Sequence, residues 1–403
     1  MPIAKGISKQ VAIKKESTYG TLAGAAGGRL LRRVTSSFNL TKDAYQSDEI
    51  RTDYQMSDFR HGVRSADGSV SGELSPGSYS DLFAAALAKA FVAPGAGTGT
   101  GTAVAFTATS TVLTRPSGSW LADGFKIGDV IRITAGTGMV AGDLNKNLLI
   151  TAVAALTMTF VVLNGSGFTT TSVTAAGAMA VFGKKTFVPQ TGHTSDSFTV
   201  EEFYSDIAQS EVYTGCKVNT VGISIPSTGM STVDFSFMGK DLNTTGTTQY
   251  FTTPTALGSS GVFAGVNGVV IFNGTQVAVV TDASVNINRN ISNATVLGSN
   301  SISESFDGRA IVDGSLSLYF TDAVARDAFK NETEVSVIFT LTTNNTANAD
   351  FMSITLPRIK VNSFTKDDGE QGITASCDFQ ALLNATTGAS EVSTITIQDS
   401  LAA

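Results

Sequence analysis

Catalysis or metal binding needs nucleophiles, acids, bases or ligands held within reach of one another, and this 403-residue chain supplies few of them. It has two histidines, His61 and His193, and neither has a second nitrogen or thiolate ligand at metal-site spacing. No nucleophile elbow occurs, although a Ser-His-Asp triad assembled by folding stays open from sequence. The carboxylates are scattered, with no pair spaced for acid–base work. Gly95-x-Gly-x-Gly-x-Gly101 follows a helical segment and leads into none, which makes it a flexible linker and not a phosphate cradle. Before Gly183-Lys184-Lys185 the nearest glycine, Gly177, leaves five intervening residues where a phosphate loop needs four, and Lys185 occupies the Ser/Thr position. The sequons at Asn273 and Asn293 are what a chain rich in Thr and Asn contains anyway. No enzyme, metal or cofactor is expected.

Net charge is −7 and the pI about 5.0, against a protein that wraps nucleic acid by neutralising phosphates. An acidic wall that DNA passes without sticking is compatible with it. The N-terminus, Met1 to Gln10, lacks the apolar core of a signal peptide, and no later run reaches transmembrane length, so no membrane insertion is expected. Cys216 and Cys377 read as free buried thiols of a protein made in a reducing cytoplasm, with a disulfide the less favoured alternative.

The elements that would position any site come from an internal repeat. Residues 62–83 recur at 308–329 with seven identities, among them Asp67/Asp313, Gly68/Gly314, Ser69/Ser315 and Ser71/Ser317. Upstream, Ser37-Phe38-Asn39 meets Ser284-Val285-Asn286. Downstream, Lys217-Val218-Asn219 meets Lys360-Val361-Asn362, and Asp234-Phe235 meets Asp378-Phe379. The chain is a tandem duplication with an extra segment inside the first copy. The boundaries that follow are an N-terminal arm over 1–34, a first domain over 35–91 and 195–245, an inserted domain over 92–194, and a second domain over 246–403.

Composition and alternation predict an all-β protein with minor α content. Arg33 to Lys42 alternates as a strand. Asp67-Gly68 reads as the turn before the next strand, and a Ser80-capped helix runs from Asp81 to Phe91, with a shorter twin ending at Lys330. Ala103–Phe106, Asp129–Ile133, Leu148–Val162 broken near 155–156, and Val181–Val188 predict a small closed β-barrel in the insertion. Asn273-Gly274 predicts a hairpin, and Val392–Ile397 a last strand. Between the first two strands Lys42, Asp48, Glu49, Arg51, Asp53, Asp58, Arg60 and Arg64 mark a long charged connection. It reads either as a contact to a neighbouring subunit or as a solvated hairpin.

At Val11-Ala-Ile-Lys-Lys15-Glu-Ser-Thr-Tyr-Gly20-Thr and Ser69-Val-Ser-Gly-Glu73-Leu, the chain resembles the phage tail tube (major tail) proteins of long non-contractile tails. The resemblance implies two tandem tail-tube β-sandwich or barrel domains, each with one flanking helix, with the inserted barrel as an outward decoration. It implies homo-oligomeric rings, three chains with pseudo-sixfold symmetry, stacked helically into a virion tail tube that joins other tail proteins at its ends. The charged hairpins and the arm would reach the next ring. Asn39, Thr41, Ser69, Ser71, Glu73, Glu201 and Asp234, with Asn286, Ser315, Ser317 and Asp378 of the second repeat, would line a polar, mildly acidic channel for transient DNA passage. The competing readings are a tail-tip, baseplate or cell-surface binding module using the inserted barrel, a tail terminator, and a tail-associated hydrolase.

Overall fold

The computed structural model describes residues 3–402 apart from 94–99, 166, 322 and 371, so most of the Gly95–Gly101 linker lies outside the described residues. The first repeat supplies β1 (Lys9–Lys15), β2 (Thr35–Gln46), β3 (Phe59–Glu73), β4 (Phe198–Tyr204), β5 (Gln209–Pro226), β6 (Thr232–Gly239) and β7 (Asp241–Gly246). From the second come β8 (Gly268–Phe272), β9 (Val280–Asn288), β10 (Ile311–Tyr319), β11 (Val335–Thr342), β12 (Phe351–Val361), β13 (Thr365–Lys366), β14 (Thr374–Ala381) and β15 (Thr396–Asp399). Helices are few: α1 is Ser80–Ala86 and α2 is Val324–Lys330.

Each repeat is a two-layer sandwich whose layers share one long strand. The C-terminal half of β5 lies in an inner sheet, in the order β2-β3-β6-β5, and its N-terminal half in an outer sheet, β1-β4-β5-β7. β12 repeats this, with β9-β10-β14-β12 and β13 inside and β8-β11-β12-β15 outside. Even the irregularity is copied, since the β4–β5 bulge between Phe198 and Val200 matches the β11–β12 bulge between Val335 and Val337. Lys9–Lys15 is therefore a sheet strand, with β8 as its counterpart, and not a free arm. Val70, Phe235, Val285, Leu316 and Phe379 point from the inner sheets into one core continuous across both repeats.

Four local expectations are corrected. Asp67-Gly68 makes no turn, because it sits inside the 15-residue β3; Gly68 is required where the Phe38 ring lies over the backbone, and a Cβ there would strike that ring. Gly314 is constrained in the same way by the Phe379 ring and the Ser284 carbonyl. Ser80 is not the cap of α1, since Tyr79 holds that position without a side-chain bond. The helix also stops at Ala86, because Ala88 adopts a φ of 55° and the Lys89 N–H donates to the Ala84 carbonyl at 3.0 Å, closing the end. Finally, Asp234 pairs with Ser71 but Asp378 pairs with Ser315, the counterpart of Ser69, so Asp378 corresponds to Ser236. That two-residue slip between the sequence match and the registers leaves both carboxylates on the same face.

The insertion closes into a six-stranded barrel of Thr100–Ala108, Val112–Thr114, Thr157–Val162, Leu148–Val153, Val130–Thr137 and Thr171–Val181. The sequence missed the strands at Val112–Thr114 and Thr171–Val181; the expected closing segment Val181–Val188 shares only Val181 with the latter and otherwise holds Lys184–Phe187, which pairs with β15 and not with the barrel. Trp120, Phe125, Ile131, Ile150, Met158 and Phe160 fill its interior. Although encoded within the first repeat, it packs on the second: Val130 and Leu149 meet Ile271, Ile338 and Phe351 on the outward side of the outer sheet. The Arg132 guanidinium lies 3.6 Å from the Phe182 ring centre, and its Nη2 donates to the Ala349 carbonyl at 2.9 Å.

Candidate functional site: a polar face along an eight-stranded sheet

The two inner sheets are one. β5 pairs with β9, with Thr220 opposite Asn288, Gly222 opposite Asn286 and Ser224 opposite Ser284, so eight strands run in the order β2-β3-β6-β5-β9-β10-β14-β12/β13. Period-two alternation gives this sheet a single polar face opposite the core. Across it Asn39 stands beside Asp67, Ser71 beside Asp234, Asn286 beside Asp313, and Ser315 beside Asp378.

Short side chains lace the face together. The Ser71 hydroxyl donates to Asp234, the Asn286 amide to Asp313 at 3.1 Å, and the Ser363 hydroxyl to Asp378 at 2.8 Å, while the Ser37/Ser69 and Ser284/Ser315 hydroxyls bond at 3.1 and 2.8 Å. Six carboxylates share it: Asp67, Glu73, Asp234, Asp282, Asp313 and Asp378. Two lysines join the same rows, Lys217 opposite Met238, buried and paired with Asp307 at 3.5 Å, and Lys360 opposite Gln380, 3.8 Å from Glu332. Partial burial raises the Asp67 carboxyl above its ordinary value.

Of the eleven residues expected on such a face, Asn39, Thr41, Ser69, Ser71, Glu73, Asp234, Asn286, Ser315, Ser317 and Asp378 lie on it. Glu201 does not. Its strand β4 belongs to the outer sheet, so the side opposite Val200 faces outward, under residues 247–255. There the carboxylate is fully buried and accepts from the Ser210 hydroxyl at 2.7 Å and from the Tyr250 and Phe251 amides. Its counterpart in the second repeat is Ile338, covered by the inserted barrel. Asp67 and Asp313 were hidden by the reading of Asp-Gly as a turn, and Asp282 by its place at a strand start.

Residues 47–58 form the end of a long projection from β2 and β3. Arg51 pairs with Asp53 at 2.9 Å and Arg60 with Asp58 at 2.8 Å, both within the hairpin, and Arg64 reaches Asp241 at 2.7 Å. Lys42, Asp48 and Glu49 are exposed, as are the apolar Ile50, Tyr54 and Met56.

Groups with chemical potential elsewhere are committed to structure. Lys185 is bonded to Asp129 and Glu391, both at 3.2 Å, beneath the barrel. The Ser195 hydroxyl donates to Asp307 at 2.5 Å and accepts from Lys217 Nζ at 2.9 Å, in a cleft that His193 also lines. Cys216 and Cys377 are buried and unlinked, and burial raises both thiols. Among the described residues no helix is long and apolar enough to cross a membrane.

Sequence comparison agrees with the architecture. Residues 6–381 match the family described as phage tail tube protein. The chain belongs to that family. Membership makes it a structural component of the virion tail, and the first repeat, the insertion, the projecting hairpin and the second repeat through β14 fall within the matched span. No curated protein matches the chain significantly.

Proposed function

We propose that this tail tube protein, made in the host cytoplasm, assembles into stacked rings in which the eight-stranded polar face is the wall of the DNA channel. The observation that carries this reading is the sheet itself. A four-strand unit occurs twice in identical order, is joined in register, and ends at both sides in a strand with one edge left unpaired among the described residues.

Three chains of eight strands make twenty-four. At roughly 4.8 Å per strand, a closed barrel of that number has a backbone diameter of about 37 Å before tilt widens it. Two chains give only about 24 Å, and side chains from facing walls fill about 10 Å of that, which leaves little room for a duplex. Three chains, and hence pseudo-sixfold symmetry, fit best. A wall of hydroxyls, amides and carboxylates, whose one exposed paired lysine, Lys360, lies 3.8 Å from Glu332, repels phosphate more than it holds it, so DNA slides with little site-bound friction. The hairpin at 47–58 and the exposed N-terminal residues before β1 are the elements available to bridge stacked rings, with other tail proteins meeting the tube at its ends.

A receptor-binding role for the inserted barrel has less support, since its interior is packed with side chains and one flank is taken up by the second repeat. The test is electrostatic. Virions carrying Asp234→Lys and Asp378→Lys are expected to assemble normal tubes and eject DNA at least about tenfold more slowly, with the defect easing at high salt. Wild-type ejection through assembled double-mutant tubes would overturn the channel-wall assignment.

A further inference from the structure

The junction between β5 and β9 has a counterpart that one chain cannot make with itself. Residues 363–369 follow β12 as Thr220–Pro226 follow the first half of β5, and β2 is to the first repeat what β9 is to the second. Among the described residues, β2 pairs only with β3, and β13 only with β14. Each sheet end therefore carries one half of a junction whose other half lies at the opposite end of the molecule.

Resting on the ring reading above, we propose that neighbouring copies are joined by residues 363–369 of one chain pairing antiparallel with β2 of the next, in the register of the internal junction. Transferring Thr220/Asn288, Gly222/Asn286 and Ser224/Ser284 through the repeat places Ser363 opposite Thr41, Thr365 opposite Asn39 and Asp367 opposite Ser37 on the polar face. The core-side positions supply an independent check. Val221 and Ile287 are buried against each other at the internal junction, and their counterparts Phe364 and Leu40 are only half-buried in the single chain. Each is an apolar side chain left partly open where the proposed register sets the other directly opposite it, so pairing covers both.

The donor edge is already set. Asp367 accepts from the Thr374 amide at 2.6 Å and its hydroxyl at 2.8 Å, and Lys366 Nζ sits 4.8 Å from the Phe320 ring centre, which hold 365–367 against β14. Lys366, Asp367 and Asp368 on this edge disfavour slipped or non-specific pairing, as charges on edge strands do. Because the two edges differ, the contact is heterologous. It propagates from copy to copy until the rotation closes a ring.

The experiment is cysteine cross-linking in assembled tubes, where the buried native thiols do not compete. Asn39→Cys with Thr365→Cys, oxidised in the tube, is expected to give a covalent ladder ending at three chains. Thr365→Cys with Ser37→Cys or with Thr41→Cys should link at least about tenfold less, since a register slip carries the thiols beyond disulfide reach. Strongest linkage at a slipped pair, or none in tubes visible by electron microscopy, would overturn the register while leaving the tube reading intact. A ladder ending at six keeps the register and overturns the count of three. A wild-type chain that never forms tubes, even on a supplied tail tip, would overturn the tube reading itself. Should the cysteine variants fail to assemble, a side-chain-resolution map of wild-type tubes reads the same strand pairs directly, and any other register there would refute the proposal.

Discussion

Glu201 and Asp234 each follow a buried valine within a strand, Val200 and Val233, and have opposite fates. Glu201 accepts three hydrogen bonds in a dry site beneath the first repeat's outer cover, whereas Asp234 is exposed on the inner face with a serine beside it. Glu201→Ala strands two backbone amides and a hydroxyl, and is expected to cost about 2–4 kcal/mol, read as a shifted denaturant midpoint. Asp234→Ala should stay within about 0.5 kcal/mol. Alternation in the sequence sets which way a side chain points relative to its neighbours, and it placed ten of the eleven expected residues on the polar face. It does not reveal the layer to which a strand belongs. That depends on where the 18-residue β5 passes from one sheet to the other, a tertiary property with no local signature. Gly68 misled for a related reason: a glycine that accommodates a neighbouring ring looks, in sequence, like one that makes a turn.

At the level of elements, the two copies diverge most in the hairpin after their first strand. In the second repeat this connection folds back, with the short pair Ser292–Ala294 and Glu304–Phe306 and the Asn300 carbonyl accepting from the Arg64 amide. In the first it projects, and Ile50 and Tyr54 are 99% exposed at its end. Its arginines are neutralised within the chain, so what it offers a neighbour is apolar surface flanked by Asp48 and Glu49. Replacing residues 48–57 by Asn-Gly is expected to leave the melting temperature within about 1 °C, because almost nothing in the chain packs on that segment. The same variant should halt assembly at single rings in sedimentation and microscopy. Tubes of normal length would show that the hairpin does not join rings. The repeat, the insertion and its barrel were legible from self-similarity and strand periodicity. Helix ends were not, since Ala88 adopts a left-handed backbone that its side chain does nothing to announce.

Across the whole molecule, the C-terminal strand ties the parts together. Gln398 bonds the Val130 backbone of the inserted barrel, while Asp399 accepts the Gly77 and Leu401 amides at 2.8 Å, fastening the second repeat to the segment before α1. Burial pushes the Asp399 carboxyl up to about 6. A carboxyl raised on folding binds its proton more tightly in the native state, so its contribution favours folding most below the unfolded value near 4 and is lost as pH rises through 6. The two-unit displacement corresponds to roughly 3 kcal/mol. Melting curves of wild type and Asp399→Asn should therefore diverge in slope between pH 4 and 6, the variant being flatter there; parallel curves would remove Asp399 as the cause. The covalent joining of two sandwiches also bears on how such a molecule can change. In a one-domain subunit every substitution recurs at each position around an assembly, so a projection or a decoration must be tolerated everywhere at once. Here Glu201 and Ile338 occupy one structural position under different covers, and only one copy bears the long hairpin. Duplication has released the two halves from having to be identical, and the chain has used that freedom on its outer surface while keeping the inner sheet nearly the same twice.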